Sequence, residues 1–345
     1  MRRTRLTLIA ACALTTPLAW GCSDTGPTEA FLQPPIFAAK VPGGASYQAT
    51  DLGTLGGASC ARDINEAGMV VGSSDVEPGV PHAVLWDGGA MVDLGTLGGA
   101  WSEGHGINNR GQVVGWSEDG EGRTRAFLWE RGAMLDLGTL GGDFSMAYAV
   151  NERGQVVGES RNAEGHTRVF VWDRGHMTEV PTVGGGKASD INNRGDVVGL
   201  MSDGQGVYHG FLWNGQHVVD LGTLGGAYSE AYGVNNQGEV VGRSETADGA
   251  LHAFLWRNGV MTDLGTLADT ESQANEIEDR GEVVGYSFRA DGEIRAVVWN
   301  GGKITDLGTL GGVGSWAMGI NNRGDIVGNS GTAFLSPGRA TLWRR

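Results

Sequence analysis

Asp-Leu-Gly-Thr-Leu-Gly-Gly, at residues 51–57, decides the fold because it recurs along the whole chain. Identical copies occupy 93–99, 136–142, 220–226 and 306–312, and eroded copies occupy 179–185 and 263–269. Successive copies start 41 to 43 residues apart. A period of this length is typical of propellers and solenoids, in which each repeat completes its core only against its neighbours. We therefore expect one repeat domain, although 345 residues would ordinarily suggest two domains.

Each repeat contains four short strands. In the copy at 229–267, the predicted strands are 231–234, 239–244, 252–256 and 261–264. The last two strands flank Asn258 and Gly259, which form a typical two-residue hairpin turn. Four strands in about 43 residues are typical of a propeller blade.

The two-residue turn fixes which residues of the third and fourth strands face each other. Pairing outward from the turn places Trp256 opposite Met261 and Phe254 opposite Asp263. An aromatic residue meets an apolar one in this way in the other repeats too, as cross-strand pairing prefers. The opposite face of the same strands is also apolar, so we expect each sheet to pack between two others.

The first and last repeats complement each other. Tryptophans mark seven third strands, at Trp86, Trp129, Trp172, Trp213, Trp256, Trp299 and Trp343. A fourth strand near 47–52 precedes any first strand, whereas the last repeat ends after its third strand. We therefore predict an all-β, seven-bladed β-propeller of about 43-residue four-stranded repeats, with the ring closed by the N-terminal strand.

Two alternatives to this architecture stay open. In a rival register, 333–335 form the last third strand and 340–343 the fourth strand. In a rival fold, the chain forms an open parallel β-helix with two coils per repeat. Hairpin turns inside each repeat argue against the β-helix, because parallel strands need longer crossover connections.

The start of the chain predicts export. Arg2, Arg3 and Arg5 precede an apolar run at 6–18, as in a signal peptide. The following Leu-Ala-Trp-Gly-Cys resembles a bacterial lipobox, so we predict a lipid on Cys22, with ordinary signal cleavage or a retained anchor as alternatives. The predicted divisions are a signal peptide at 1–22, a flexible tether at 23–45 and the propeller at 46–345. The predicted location is the outer membrane or cell surface, alternatively the periplasm or the medium.

Charge and cysteine content limit the partners. A net charge of -15 and a pI near 4.8 repel nucleic acid and anionic membranes, so we expect no nucleic-acid partner and membrane contact only through a lipid. Three cysteines, two of them in the first 22 residues, predict neither a disulfide framework nor a zinc site in the mature chain. The Asp- and Gly-containing loops at 119–122, 247–249 and 290–292 lack EF-hand spacing. We predict a monomer without a metal or another cofactor.

A cation stands four residues before each third-strand tryptophan. The set comprises His82, Arg125, Arg168, His209, His252, Arg295 and Arg339. An acid of the fourth strand, such as Asp93, Asp136 or Asp263, lies diagonal to each cation. Because the pattern recurs in every repeat, a hydrogen-bond network that supports folding is favoured over a repeated ligand site. Asparagines that open the first hairpin turn, with Glu278 as the exception, are expected to hydrogen-bond their own backbone.

Residues that differ between repeats are better candidates for binding. After the two glycines of each motif, the variable residues include Trp101, His105, Phe144, Tyr148, Tyr228, Tyr232 and Trp316, with Arg62 and Asn275 in comparable places. In a propeller this segment leads into the innermost strand and opens on one face. Aromatic side chains there would stack on sugar rings or anchor a partner loop, or else pack between blades.

The repeated motifs resemble those of the bacterial HAF-repeat family, described as probable extracellular repeat proteins. The resemblance lies in the seven-residue motif, in Val-Asn-Asn-Gln-Gly-Glu-Val-Val-Gly at 234–242 and in His-Ala-Phe-Leu-Trp at 252–256, and it covers about 46–345. It implies export and repetition without an established activity. Several repeats carry Arg where the family has His, which argues against a role that requires imidazole.

The sequence therefore predicts a non-catalytic binding platform in the cell envelope or outside the cell, with a glycan or a surface protein as its partner. One alternative is a carbohydrate-active enzyme, a hydrolase or lyase, for which Glu103, Glu230 and Glu271 are the nearest carboxylates. Another is a purely structural envelope protein. We find no Ser-His-Asp spacing and no phosphate-binding loop, so an enzyme is the less favoured class.

Overall fold

The computed structural model describes residues 47–331 and 338–345. These residues form strands and turns without a helix, which confirms the all-β prediction. Accordingly, the described part of the chain contains no helix that is long and apolar enough to cross a membrane. The predicted signal peptide, Cys22 and the tether lie outside the described residues.

Strands are numbered in chain order and grouped in antiparallel sheets of four. Sheet 1 comprises β2 (Ser59–Ile64), β3 (Val70–Glu77), β4 (Val80–Asp87) and β5 (Ala90–Asp93). Sheet 2 comprises β6 (Gly98–Ile107), β7 (Val113–Asp119), β8 (Thr124–Glu130) and β9 (Ala133–Asp136). Sheet 3 comprises β10 (Gly141–Val150), β11 (Val156–Asn162), β12 (Thr167–Asp173) and β13 (His176–Glu179). Sheet 4 comprises β14 (Gly186–Ile191), β15 (Val197–Ser202), β16 (Tyr208–Trp213) and β17 (Val218–Asp220).

The remaining sheets follow the same order. Sheet 5 comprises β18 (Gly225–Val234), β19 (Val240–Thr246), β20 (Leu251–Arg257) and β21 (Val260–Asp263). Sheet 6 comprises β22 (Ser272–Ile277), β23 (Val283–Phe288), β24 (Ile294–Asn300) and β25 (Lys303–Asp306). Sheet 7 comprises β26 (Ser315–Ile320), β27 (Ile326–Ser330), β28 (Arg339–Arg344) and β1 (Gln48–Asp51). A single parallel pair, Tyr208 with Tyr228, links sheets 4 and 5.

Sheet 7 takes its fourth strand from the start of the chain. β1 pairs with β28, so that Ala49 lies opposite Trp343, and Trp343 also lies opposite Ile326 of β27. Trp343 therefore belongs to the third strand of this sheet, as in the favoured register. Residues 333–335 of the rival register lie outside the described part of the chain.

The hydrophobic core lies between neighbouring sheets. Val71 and Leu85 of sheet 1 pack against Ile107 and Phe127 of sheet 2. Equivalent clusters occur between each later pair of sheets, and Leu342 of sheet 7 belongs to a cluster with sheet 1. Both faces of the sheets are thus apolar because both are covered.

The recurrent seven-residue motif forms the loop that leads from one sheet to the next. In the copy that begins at Asp93, the carboxylate accepts a hydrogen bond from the Gly95 N–H at 2.8 Å. The Thr96 hydroxyl donates to the Gly99 carbonyl at 2.9 Å and accepts from the Gly98 N–H at 3.2 Å. The acid and the threonine therefore recur because they satisfy the backbone of this loop.

The first strands of neighbouring sheets lie side by side, and β26 contacts β2 in the same way. Their C-terminal ends surround one cavity of about 240 Å³, which is lined by residues from every sheet. The other end of each first strand follows the recurrent motif, and we call it the entry end. The variable residues of the sequence lie on these strands and thus around a common axis.

Hydrogen bonds link the first hairpin turns of neighbouring sheets. The Glu66 N–H donates to Asn109 Oδ1 at 2.7 Å, and the Asn322 N–H donates to Glu66 Oε1 at 2.9 Å. The bonds between these two are made in the same way by Asn109, Glu152, Asn193, Asn236 and Asp279. The row therefore returns to the residue at which it starts.

A disulfide corrects one expectation. Cys60, which is buried in β2, is disulfide-bonded. The expectation that the mature chain has no disulfide is therefore wrong for this residue. The other two cysteines of the sequence lie outside the described residues.

Candidate functional site at the entry end of the first strands

The candidate site consists of variable residues around Ser102 and its counterparts in the other repeats. Serine occupies this position in six repeats, and Gly186 is its counterpart in the remaining one. The Ser102 hydroxyl accepts from the Ala83 N–H at 2.9 Å and donates to the Gly95 carbonyl at 2.6 Å, which joins two sheets. One residue before the serine stand Ala58, Trp101, Phe144, Gly185, Tyr228, Glu271 and Gly314. One residue after it stand Cys60, Glu103, Met146, Lys187, Glu230, Gln273 and Trp316. Three residues after it stand Arg62, His105, Tyr148, Ser189, Tyr232, Asn275 and Met318.

Glu230 is the centre of one cluster in this region. Lys187 Nζ lies 2.8 Å from its Oε1 atom, and Arg243 Nη2 lies 3.1 Å from its Oε2 atom. The hydroxyls of Tyr228 and Tyr232 donate to Oε2 at 2.6 and 2.5 Å. The guanidinium of Arg243 also lies over both tyrosine rings, 5.5 and 5.8 Å from their centroids. We call these five residues the Glu230 cluster.

The Glu230 cluster holds an ionised carboxylate. Burial disfavours the charged form of Glu230, but Lys187 and Arg243 outweigh burial and lower its pKa to about 2. Burial and the charge of Glu230 raise the pKa values of Tyr228 and Tyr232, so both phenols stay protonated as donors. The cluster is therefore a fixed network of one anion, two cations and two hydroxyls.

A second cluster surrounds Glu103. His105 Nε2 and Arg62 Nη2 lie 3.5 and 3.7 Å from its Oε2 atom. Burial opposes ionisation of Glu103, but the hydrogen bond from His105 and the charge of Arg62 lower its pKa. The His105 ring stacks on Tyr148, with centroids 5.3 Å apart. We call Glu103, Arg62 and His105 the Glu103 cluster.

Tyr148 connects the Glu103 cluster to a third carboxylate. Its hydroxyl donates to Glu159 Oε1 at 2.6 Å. Burial raises the pKa of Glu159, and the hydrogen bond from Tyr148 only partly offsets that effect. Glu159 therefore takes up a proton more readily than Glu103 or Glu230.

The remaining predicted aromatic residues lie at or near the surface. Trp101 is 44% exposed. Phe144 and Trp316 are half-buried, and the Arg161 guanidinium lies 5.4 Å from the centroid of the Phe144 ring. Trp101 is thus the member of the predicted set whose ring is most open to a ligand.

The structure joins some of the predicted residues and leaves others apart. Tyr228 and Tyr232 meet at Glu230, and His105 meets Tyr148. Sequence reasoning missed Lys187, Arg243 and Glu159 as members of the site. A clue for two of them was present: the residue that follows Val-Val-Gly or Ile-Val-Gly on the second strand changes in every repeat. The set is Ser73, Trp116, Glu159, Leu200, Arg243, Tyr286 and Asn329.

Seven acidic residues line the cavity at the other end of the first strands, and Asp63, Asp190 and Glu276 are the three that lie on the strands themselves. Asp63 accepts from the Ile64 and Ile107 N–H groups at 2.7 and 2.9 Å. Burial raises the pKa of Asp63 and of Asp190 to about 6, and the pKa of Glu276 lies well above its usual value for the same reason. In the residues that the structure describes, no group of three or more His, Cys, Asp or Glu side chains could hold a metal ion.

The repeated cations pair with acids within their own sheets. His82 Nδ1 lies 2.9 Å from Asp93, and the same pairing occurs for the other histidines and for Arg168, Arg295 and Arg339. Arg125 differs from the predicted pattern because its Nε lies 3.3 Å from Asp119. Asp119 also accepts hydrogen bonds from the Arg123 backbone and side chain. Its carboxylate is therefore paired with two arginines.

Comparison with solved structures shows the fold. The chain is similar to the β-propeller domain of the trilobed protease from Pyrococcus furiosus, described as having an open velcro topology, with 12% identity, a TM-score of 0.55 and coverage of 83% of this chain and 95% of that one. It is also similar to the acylaminoacyl peptidase of Pyrococcus horikoshii, with 12% identity, a TM-score of 0.50 and coverage of 83% and 51%. TolB from Acinetobacter baumannii follows with 11% identity, a TM-score of 0.45 and coverage of 72% and 61%. No family model and no curated protein matches the chain. The chain has a β-propeller fold.

Proposed function

We propose that the protein is an exported, non-catalytic platform that binds a glycan at the entry end of a seven-bladed propeller. The proposal rests on the few positions at which the otherwise similar repeats differ. Each repeat keeps the residues that build its sheet, whereas the positions around Ser102 and its counterparts differ and hold aromatic rings beside fixed charges. Aromatic faces and oriented polar groups are the side chains that bind sugars.

Three observations support a closed ring of seven blades. The hydrogen-bond row that starts at Glu66 returns to it from Asn322. β26 contacts β2 as other first strands contact their neighbours. β1 completes the sheet of β28 and so covers an edge that would otherwise stay open. A rigid ring is a suitable support for a binding face.

The environments of Glu103, Glu230 and Glu271, the carboxylates that an enzyme would use, favour binding over catalysis. Glu230 is held by four partners and Glu103 by Arg62, His105 and Trp116, and both are buried with lowered pKa values. Glu271 is exposed and belongs to neither cluster. A glycosidase needs a pair of carboxylates that both reach the substrate. Glu103 and Glu230 are therefore better suited to orienting other side chains than to acid–base chemistry, and Glu271 stands without a second carboxylate of either cluster.

The export part of the proposal rests on the sequence. The signal-like start, the lipobox-like segment and the resemblance to HAF repeats favour an envelope lipoprotein that acts as a monomer. A thioether-linked lipid and a disulfide exclude each other on one sulfur. The intact mass of the purified protein, before and after reduction, therefore tells whether Cys22 carries a lipid or is available to Cys60.

A glycan array probed with the full-length protein tests the platform, and each positive glycan is then incubated and checked for cleavage products. We expect saturable binding without products. Trp101→Ala should weaken binding by about tenfold, because an exposed aromatic contact is lost. Leu135→Ala, which removes an exposed apolar side chain from β9, is the matched control. Cleavage would establish an enzyme instead, and the absence of any glycan ligand would contradict the proposal and direct the search to proteins of the envelope.

A further inference from the structure

We propose that the entry end contains a subsite for a sugar carboxylate, formed by Arg62, Lys187 and Arg243. The proposal rests on the glycan-binding function and names the class of its ligand as acidic sugars. The opposite net charge of the protein, -15, makes a cationic centre unexpected and therefore informative.

Cations outnumber carboxylates in the Glu230 cluster. Lys187 and Arg243 share Glu230, which leaves one positive charge in excess. Arg62 pairs with Glu103 at 3.7 Å, longer than a close ion pair, and His105 binds the same oxygen. Glu230 therefore compensates its two cations only in part, and Arg62 is paired with Glu103 only loosely.

The cations are more exposed than the carboxylates that they bind. The side chains of Lys187, Arg243 and Arg62 are 35%, 30% and 22% exposed, whereas those of Glu230 and Glu103 are 3% and 7% exposed. A ligand that approaches the entry end meets ammonium and guanidinium groups first. The buried glutamates fix the positions of these groups before the ligand arrives.

Both guanidiniums retain unused hydrogen-bonding capacity. The Nε atoms of Arg62 and Arg243 are buried and have no hydrogen-bond partner among the described residues. Buried donors are nearly always paired in folded proteins. A carboxylate matches a guanidinium fork and would take up donors that the protein leaves open.

The other acids near these cations are engaged elsewhere. Glu159 accepts a hydrogen bond from Tyr148, and burial raises its pKa, so it holds a negative charge less readily than Glu230. Asp63 and Asp190 lie at the cavity at the far end of the strands and accept backbone N–H groups there. Within the described part of the chain, these two aspartates form no ion pair with the three cations.

Tyrosine rings favour a sugar acid over a simple inorganic anion. Tyr228 and Tyr232 place their rings against Arg243, and their hydroxyls are fixed on Glu230. A pyranose ring that carries a carboxylate would meet an apolar ring face and a guanidinium together. Phosphate or sulfate would use the charge alone.

Calorimetric titration of the full-length protein tests the subsite. The probes are oligomers of galacturonate, glucuronate and mannuronate, their carboxyl-reduced neutral forms, and inorganic phosphate. We expect at least one acidic oligomer to bind ten times or more tightly than its neutral form and than phosphate, with an affinity that falls as salt is added. Arg243→Gln should remove this preference, and Arg257→Gln, an exposed arginine on β20, should not.

Two further variants distinguish a loss of the subsite from a loss of folding. Arg243→Lys keeps the charge and should retain part of the preference, while Lys187→Gln should reduce it without changing the affinity for a neutral oligomer. Equal binding of acidic and neutral forms, or a preference that survives Arg243→Gln, would overturn the subsite and leave the glycan platform standing. Failure of every oligomer to bind, together with an array without ligands, would overturn both.

Discussion

The backbone N–H of Asn322 donates a hydrogen bond to Oε1 of Glu66 at 2.9 Å, although 256 residues separate the two along the chain. Elsewhere the same bond joins turns that are one repeat apart. A buried asparagine beside it behaves alike: Asn321 Nδ2 donates to the Asn65 carbonyl at 3.0 Å. The last repeat therefore makes the same hydrogen bonds to the first repeat that other repeats make to their neighbours.

Asn321→Ala should destabilise the protein as much as the equivalent change in the middle of the chain. Asn321 and Asn151 each donate to the next turn and accept two backbone N–H groups of their own turn. Loss of such a buried side chain should lower the free energy of unfolding by about 1–3 kcal/mol. Urea denaturation of both variants measures this. A loss for Asn151→Ala without a loss for Asn321→Ala would contradict the contact between the last and first repeats.

Acid should stabilise the protein between pH 7.5 and 5. Burial raises the pKa of Asp63 and Asp190 to about 6, above the ordinary value of 3.8. The folded state therefore binds protons that the unfolded state releases, so the free energy of unfolding rises as the pH falls through 6. Glu230, whose pKa is about 2, opposes this only below its ordinary value of 4.5. Tm measured at constant ionic strength reports the trend.

The double variant Asp63→Asn with Asp190→Asn should reduce this dependence of Tm on pH, and Glu276, whose pKa burial also raises, should account for the remainder. Asp291→Asn, in an exposed loop, is its control. The slope between pH 7.5 and 5 is compared, since the absolute Tm also reflects the hydrogen bonds that the aspartates accept. An undiminished slope in the double variant would assign the effect to groups other than these aspartates.

Glycine in the repeated Val-Val-Gly is required by close packing. A Cβ atom on Gly115 would lie 1.9 Å from the Glu103 carbonyl oxygen of the neighbouring strand. Gly115→Ala should therefore lower Tm strongly, because backbone atoms would have to move apart. Gly120→Ala is a matched control, since its Cβ would lie 4.0 Å from the nearest atom. Equal Tm values for the two variants would refute this explanation.

The repeated His–Asp pairs should contribute to folding and not to binding. A double-mutant cycle of His82→Ala and Asp93→Ala should give a coupling energy of about 0.5–1 kcal/mol, as expected for a partly exposed pair. Asp93→Ala alone should cost more than His82→Ala, because Asp93 also accepts from the Gly95 N–H. Glycan affinity should be unchanged in both. A loss of glycan affinity with His82→Ala would make the repeated His–Asp pairs candidate binding residues again.

Much of the fold follows from features that the repeats share. The spacing of Trp256 and Met261 around a two-residue turn predicted their pairing, and the structure confirms it. The early fourth strand predicted that residues near Ala49 pair with the last third strand, as β1 and β28 do. These predictions work because turn length and side-chain alternation are local, and every repeat reports on them independently.

The candidate site was less predictable because it joins residues of different repeats. Lys187 and Arg243 meet at Glu230 from sheets 4 and 5, and no periodic pattern links them. Arg125 also departs from the predicted pattern, since it pairs with Asp119 of its own sheet instead of the expected Asp136. Periodicity describes what repeats have in common, whereas a site made of their differences depends on the order of the repeats around the axis.

NMR signals of the tryptophan indole groups test the central claim, which is that the variable residues of the first strands and their neighbours bind the ligand. The full-length protein is labelled with ¹⁵N-tryptophan and titrated with a glycan that the array identifies. We predict shifts for Trp101, Trp116 and Trp316, because all three stand at variable positions. The indole signals of the seven third-strand tryptophans, from Trp86 to Trp343, should not shift, because these residues stand at constant positions and pack between sheets. Shifts confined to the third-strand set would place the ligand elsewhere and contradict the account.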